Sequence, residues 1–159
     1  MKKLFTVALF LIGASYFFAQ NTIEYGGLNW YLDYDQAKEV AKKENKPIII
    51  LFTGSDWCPP CKALKKEVLP NEVFKKEVAN AVLVLADFPR RKAIPEEQLQ
   101  KNRQLATLFL GRSGLPTMIS VDWRTNEILR KISGYNFYKH DVRPHVNFVK
   151  FSVIAFKEK

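Results

Sequence analysis

Two cysteines stand three positions apart, Cys58 and Cys61, inside the run Trp57-Cys58-Pro59-Pro60-Cys61-Lys62. At that spacing the two sulfurs can pass between dithiol and disulfide and trade the bond with another protein. Such exchange starts from a thiolate, and a thiolate forms most readily in positive surroundings. The flanking residues predict such surroundings. Ile48-Ile49-Ile50-Leu51-Phe52 is a continuous apolar run rich in β-branching, the pattern of a strand buried on both faces. Thr53 to Asp56 read as a turn, and Ala63, Leu64 and Val68 follow at helical spacing to about Leu69, before Pro70. Cys58 therefore falls at a helix start, where free amides and the positive end of the dipole favour an anion. It is the expected nucleophile. Cys61, one turn on and facing the same side, is expected to displace a partner from a Cys58 mixed disulfide.

Two other uses of the pair compete. A purely structural bridge would close a loop of four residues, worth about 2 kcal/mol against about 3 for a loop of fifteen. A metal site would need further ligands. The two histidines, His140 and His145, lie about eighty residues downstream and flank Pro144, as surface residues at a helix start commonly do. Redox exchange is the stronger reading, with no metal and no cofactor beyond the Cys58–Cys61 pair.

The rest of the chain must position that pair. Asp33 and Asp35 can cap a helix from about Gln36 to Asn45, stopped by Pro47. Asn71 can cap a short helix through Phe74 and Val78, and Ala81 to Ala86 form a second apolar strand ending at Asp87. Strand, crossover helices and strand predict a parallel pair with a right-handed connection. Both strands then end on one edge of the sheet, so the loop Arg90-Arg91-Lys92 should border the cysteines. That loop either steers acidic partners or is simply solvated. A helix from about Glu96 to Leu110 follows, then a turn at Gly111 and Gly114. Pro116–Val121 and Ile128–Ile132 read as a hairpin, and a last helix begins near Asp141 with Pro144 in its first turn. This is an α/β chain.

The 159 residues are 47% hydrophobic and 26% charged with 7 Gly and 8 Pro, which excludes long disorder, collagen-like repeats and low-complexity arrays. The N-terminus has its own pattern. Lys2 and Lys3 precede an uncharged apolar run from Leu4 to Ile12, and small residues offer cleavage at Gly13-Ala14-Ser15 or after Ala19. Residues 1–19 are therefore expected to be a signal peptide and residues 20–159 a single domain in the oxidising periplasm. An uncleaved anchor is the alternative, although the run falls short of the ~20 apolar residues a span needs. The net charge of +9 becomes +7 without Lys2 and Lys3, and no base-stacking motif accompanies it, so no nucleic-acid partner is expected.

The run Trp57-Cys58-Pro59-Pro60-Cys61-Lys62 resembles the W-C-x-x-C-K site of the thioredoxin family. Gly114-Leu115-Pro116-Thr117 resembles that family's G-[IV]-P-T segment. The longer string Phe52-Thr53-Gly54-Ser55-Asp56-Trp57-Cys58 is similar to exported bacterial proteins of the disulfide-bond (Dsb) type. The resemblance spans about Trp30 to Lys157. It implies a thioredoxin-like fold with a central mixed β-sheet flanked by helices, and the same roles for Cys58 and Cys61. It also implies a cis Leu115–Pro116 peptide beside the sulfurs, where the backbone before the proline can pair with an extended substrate, and Trp57 packed alongside. The implied partners are exported proteins with cysteines or disulfides, and a membrane-borne electron donor if the chain reduces them. A monomer is expected.

Two departures matter. Thioredoxins carry a buried Asp six residues before the first cysteine, where this chain has Phe52; Asp56, in an exposed turn, does not take over that role. Pro59 and Pro60 have no N–H, so two donors to the Cys58 sulfur are missing. A less stabilised thiolate makes the couple less oxidising, which favours a reductase or isomerase over an oxidase. The competing function is a thioredoxin-fold binding or chaperone module whose disulfide stays closed.

Overall fold

The computed structural model describes residues 21–159, so the expected signal peptide lies outside the described residues. One six-stranded mixed sheet runs through them. Its strands are β1 (Thr22–Tyr25), β2 (Leu28–Tyr31), β3 (Ile48–Thr53), β4 (Val82–Asp87), β5 (Thr117–Asp122) and β6 (Glu127–Ser133), in the spatial order β1-β2-β4-β3-β5-β6. The helices are α1 (Tyr34–Glu44), α2 (Pro59–Glu67), α3 (Glu72–Val78), α4 (Glu96–Leu105) and α5 (Arg143–Lys157).

β3 is buried at all six positions, as its apolar run requires. It pairs in parallel with β4 from Ile48↔Val82 to Thr53↔Asp87, and antiparallel with β5 on its other side. Because side chains alternate across a strand, β3 feeds two cores. Ile49 and Leu51 pack with Leu64, Phe74 and Phe148 on one face; Ile48, Ile50 and Phe52 pack with Ala37, Ala41 and Phe109 on the other. Each such side chain contributes roughly 1.5–3 kcal/mol through burial. The strand that delivers the cysteines is thus held on both faces and along both edges.

The caps follow the sequence. Asp33 accepts the Gln36 N–H at 3.0 Å to start α1, and Asn71 accepts the Val73 and Phe74 N–H groups at 3.0 and 3.1 Å to start α3. Pro144 sits in the first turn of α5, which begins at Arg143. α2 closes at Glu67, two residues before the expected end, where the Leu69 N–H turns back to the Leu64 carbonyl.

Two elements differ from expectation. The hairpin β1–β2 was not anticipated, because its strands are four residues each and β1 is mostly exposed. Its turn is Gly26-Gly27, both at positive φ, and a Cβ on Gly26 would lie 2.7 Å from the Leu69 side chain. Trp30, fully buried, fixes the hairpin by donating from Nε1 to the Tyr25 carbonyl at 2.8 Å. The other difference is the helix expected to run on to Leu110. It is α-helical only to Leu105, and Ala106–Leu110 widen into a π-helical turn. There the Thr107 hydroxyl donates to the Arg103 carbonyl at 3.0 Å, competing with the backbone ladder.

Candidate active site

β3 releases the chain at Thr53, and Gly54 to Trp57 turn it into α2. Cys58 is the N-cap residue, its N–H bonded to the Gly54 carbonyl at 3.0 Å, and Pro59 and Pro60 take the first helical positions. Prolines are tolerated there because those amides would have no partner within the helix. Cys58 and Cys61 are joined by a disulfide with their Cα atoms 5.2 Å apart. Cys61 is fully buried, and its sulfur accepts the Gly54 N–H at 3.5 Å. Cys58 retains 3% of its surface. It lies outside both apolar cores, at the end of the sheet, with Pro59 exposed and Trp57 and Leu115 half-buried around it.

Leu115 and Pro116 meet the pair from β5's side. The peptide between them is cis, and the Leu115 carbonyl oxygen lies 3.6 Å from the Cys58 sulfur. The segment is tied down on both flanks. The Pro116 carbonyl accepts the Gly134 N–H at 2.7 Å, and the Thr117 hydroxyl donates to the Gly114 carbonyl at 2.6 Å.

Trp57 closes the third side. Its indole Nε1 donates to the Phe88 carbonyl at 2.7 Å, and its ring lies so close to Gly54 that a Cβ there would come within 2.6 Å. The Arg90 guanidinium sits 3.7 Å over the ring. Asp56, which the sequence left without a role, joins the turn to the loop after β4. Its carboxylate accepts the backbone N–H groups of Arg90 at 3.0 Å, Arg91 at 2.6 Å and Lys92 at 2.8 Å. Against a desolvation that would raise it, these amides hold the Asp56 carboxyl down at about 2. Asp87, at the end of β4, takes the Ser55 N–H at 2.9 Å and its hydroxyl at 2.6 Å. The loop therefore borders the cysteines as expected. The signal for Asp56 was the parallel β3–β4 register, which sets residues 55–57 opposite 88–92.

Phe52 packs in the apolar layer beneath the turn, so no carboxylate occupies the position thioredoxins give to aspartate. The histidines go elsewhere. His145 is buried against the edge of Tyr135, ring centroids 5.6 Å apart, and desolvation pushes it down to about 4. The His140 ring nitrogen Nδ1 lies 2.9 Å from Glu67 Oε2. Among the described residues no three His, Cys, Asp or Glu side chains converge on one centre.

A bridged CxxC pair at a helix start, facing a cis-proline turn on a mixed sheet, defines a class, and the comparisons agree. A family model described as thioredoxin-like matches residues 29–122. The chain belongs to the thioredoxin-like family and groups with its Dsb-type oxidoreductases. It is 35% identical over 104 residues to the disulfide bond reductase DsbH of Chlamydia pneumoniae, covering 65% of this chain and 61% of that protein. The thioredoxin-related protein DsbJ of the same organism is 34% identical over 102 residues, covering 64% of this chain and 29% of DsbJ. The solved structure of a DsbH oxidoreductase superposes with a TM-score of 0.61 at 31% identity, over 76% of this chain and 85% of that one. The chain thus spans under two thirds of the length of these two Chlamydia relatives. Among the described residues no helix is long and apolar enough to cross a membrane.

Proposed function

We propose that this chain is an exported thiol–disulfide oxidoreductase that reduces or reshuffles disulfides in exported proteins of the periplasm. Cys58 is the attacking residue. Its thiolate forms a mixed disulfide with one substrate sulfur and expels the other as a thiolate. Cys61 loses its proton to water or to that leaving thiolate and attacks the Cys58 sulfur. The substrate departs with two electrons, and the Cys58–Cys61 disulfide closes. A membrane-borne dithiol donor returns two electrons for the next turnover. Trp57, Leu115 and Pro116 line the place where the substrate chain lies, and the chain acts as a monomer.

The observation that carries the reading is the environment of the Cys58 sulfur. It faces the Leu115 carbonyl oxygen at 3.6 Å, and the two helix positions after it have no N–H to offer. A thiol can donate to that carbonyl, whereas a thiolate meets its negative end and finds two donors missing. The thiolate is therefore weakly stabilised, which makes the couple less oxidising and favours giving electrons over taking them. The relative named as a disulfide bond reductase supports the same direction.

Insulin reduction by the pre-reduced protein and by Cys58→Ser tests the activity. Turnover in the wild type alone supports it, and equal, negligible turnover in both supports a binding module instead. Equilibration with glutathione tests the direction. A potential well below the roughly −120 mV of a strong oxidase is expected, and a value near that figure overturns the reductase or isomerase assignment.

A further inference from the structure

The carboxylates around the cysteine pair are taken up by the turn and the loop, and the cations around it hold no carboxylate. Three segments border the sulfurs: the turn and first helical turn (residues 55–62), the loop after β4 (87–92) and the approach to the cis proline (111–116). They carry Lys62, Arg90, Arg91, Lys92 and Arg112, all exposed. Their only acidic residues are Asp56 and Asp87. Asp56 is covered by three amides and Asp87 by Ser55. None of the five cations forms an ion pair among the described residues. Elsewhere Lys46, Lys75, Lys101, Arg103, Arg124, Arg143 and Lys159 each hold a carboxylate, while Lys42, Lys66, Lys76 and others on the helix faces do not; what distinguishes the five is that they gather around the cysteine pair with no uncommitted acid beside them.

A merely solvated loop would need no such arrangement. Here the backbone of residues 90–92 is clasped to the active-site turn, and Arg90 is laid flat on Trp57. The loop backbone that carries three of these charges is held against the turn that carries the bridge, and exposed charges act over ~10 Å at 0.1 M salt. A substrate chain lying along Leu115 must pass this rim.

We propose that the rim selects polypeptides whose cysteines are flanked by acidic side chains. This rests on the exchange reaction proposed above and names the substrate class for it. Acidic flanks gain attraction as they approach, and basic flanks meet unopposed like charge.

The test uses three peptides, each with one intramolecular disulfide and with Glu, Gln or Lys beside the cysteines. The dithiothreitol-reduced protein, freed of reductant, is mixed with each, and single-turnover rates are read after acid quenching. At low salt the Glu peptide is expected to react about tenfold faster than the Lys peptide, with Gln between them. The ratio should fall towards one at 0.5 M salt and also in R91E/K92E, which leaves Arg90 on the indole in place. Reduction of all three at equal rates overturns the inference while leaving the oxidoreductase reading intact. No reduction of even the Gln peptide overturns that reading itself. A preference unmoved by salt and by R91E/K92E also overturns the inference, since it would then arise from peptide chemistry alone.

Discussion

The cysteine end of the sheet and the corner where β6 meets α5 both concentrate polar groups, but they satisfy them in opposite ways. At the corner, charged side chains pair with side chains. Glu67 accepts the Tyr135 hydroxyl at 2.6 Å and lies against His140, and Asp141 holds Arg143 at 2.8 Å. At the cysteine end, Asp56 and Asp87 reach for amides, and the neighbouring cations stay free. Backbone amides cannot move away, so an acid bound to several of them fixes a loop, whereas exposed ion pairs add little. The corner is a neutralised seam; the cysteine end is a shaped surface with charge to spare.

Three measurements sharpen or break that contrast. The largest effect is expected from Cys61→Ser. Without its buried resolving sulfur the enzyme stalls as a Cys58 mixed disulfide, and turnover falls by at least about a hundredfold, because an intramolecular attack is replaced by an intermolecular one. Mass spectrometry should catch the trapped adduct; unaltered turnover would show that Cys61 is not the resolving thiol.

Gly54→Ala comes next. Its methyl group would be driven into the Trp57 ring, so the indole must move off Phe88 and Arg90. A loss of about 1–3 kcal/mol in chemical denaturation is expected, together with a change in tryptophan fluorescence. Unchanged stability and emission would mean that the clasp tolerates slack.

The third measurement separates the two ends by pH. His145 is buried neutral, its folded value near 4 against an ordinary 6.5. Between those values the unfolded chain binds a proton that the folded chain refuses, so stability falls as pH drops from about 6.5 to 4 and levels off below. Asp56 has the depressed carboxyl, and its contribution is lost only as pH falls from 3.8 through about 2. The corner should therefore weaken first. Thermal midpoints across pH 7 to 4 should slope in the wild type and flatten in His145→Asn; equal slopes would remove the histidine from the account.

Much of the fold was legible because apolar runs and caps are local signals. Ile48–Phe52, the parallel crossover and the caps at Asp33 and Asn71 all stand in the structure as the sequence implied. The cysteine turn was legible for the same reason. The proximity of Leu115 and Pro116 to the sulfurs came through family resemblance alone, since nothing local ties residues so far apart. The β1–β2 hairpin was missed although Gly26-Gly27 is a strong two-residue turn signal. Its few apolar residues are anchored by Trp30 and not by a long alternating pattern. The Asp56 clasp was missed because it depends on register. A lone acid in a turn looks exposed until the strand beside it is placed.

The two borders of the sheet have a consequence for the protein in a crowded compartment. β1 offers only four residues along its open side, and β6, almost wholly exposed, interrupts its own with Arg130 and Lys131. A stray extended chain finds too short a template on one flank and repelling neighbours on the other. Neither border therefore offers a stray strand much to pair with.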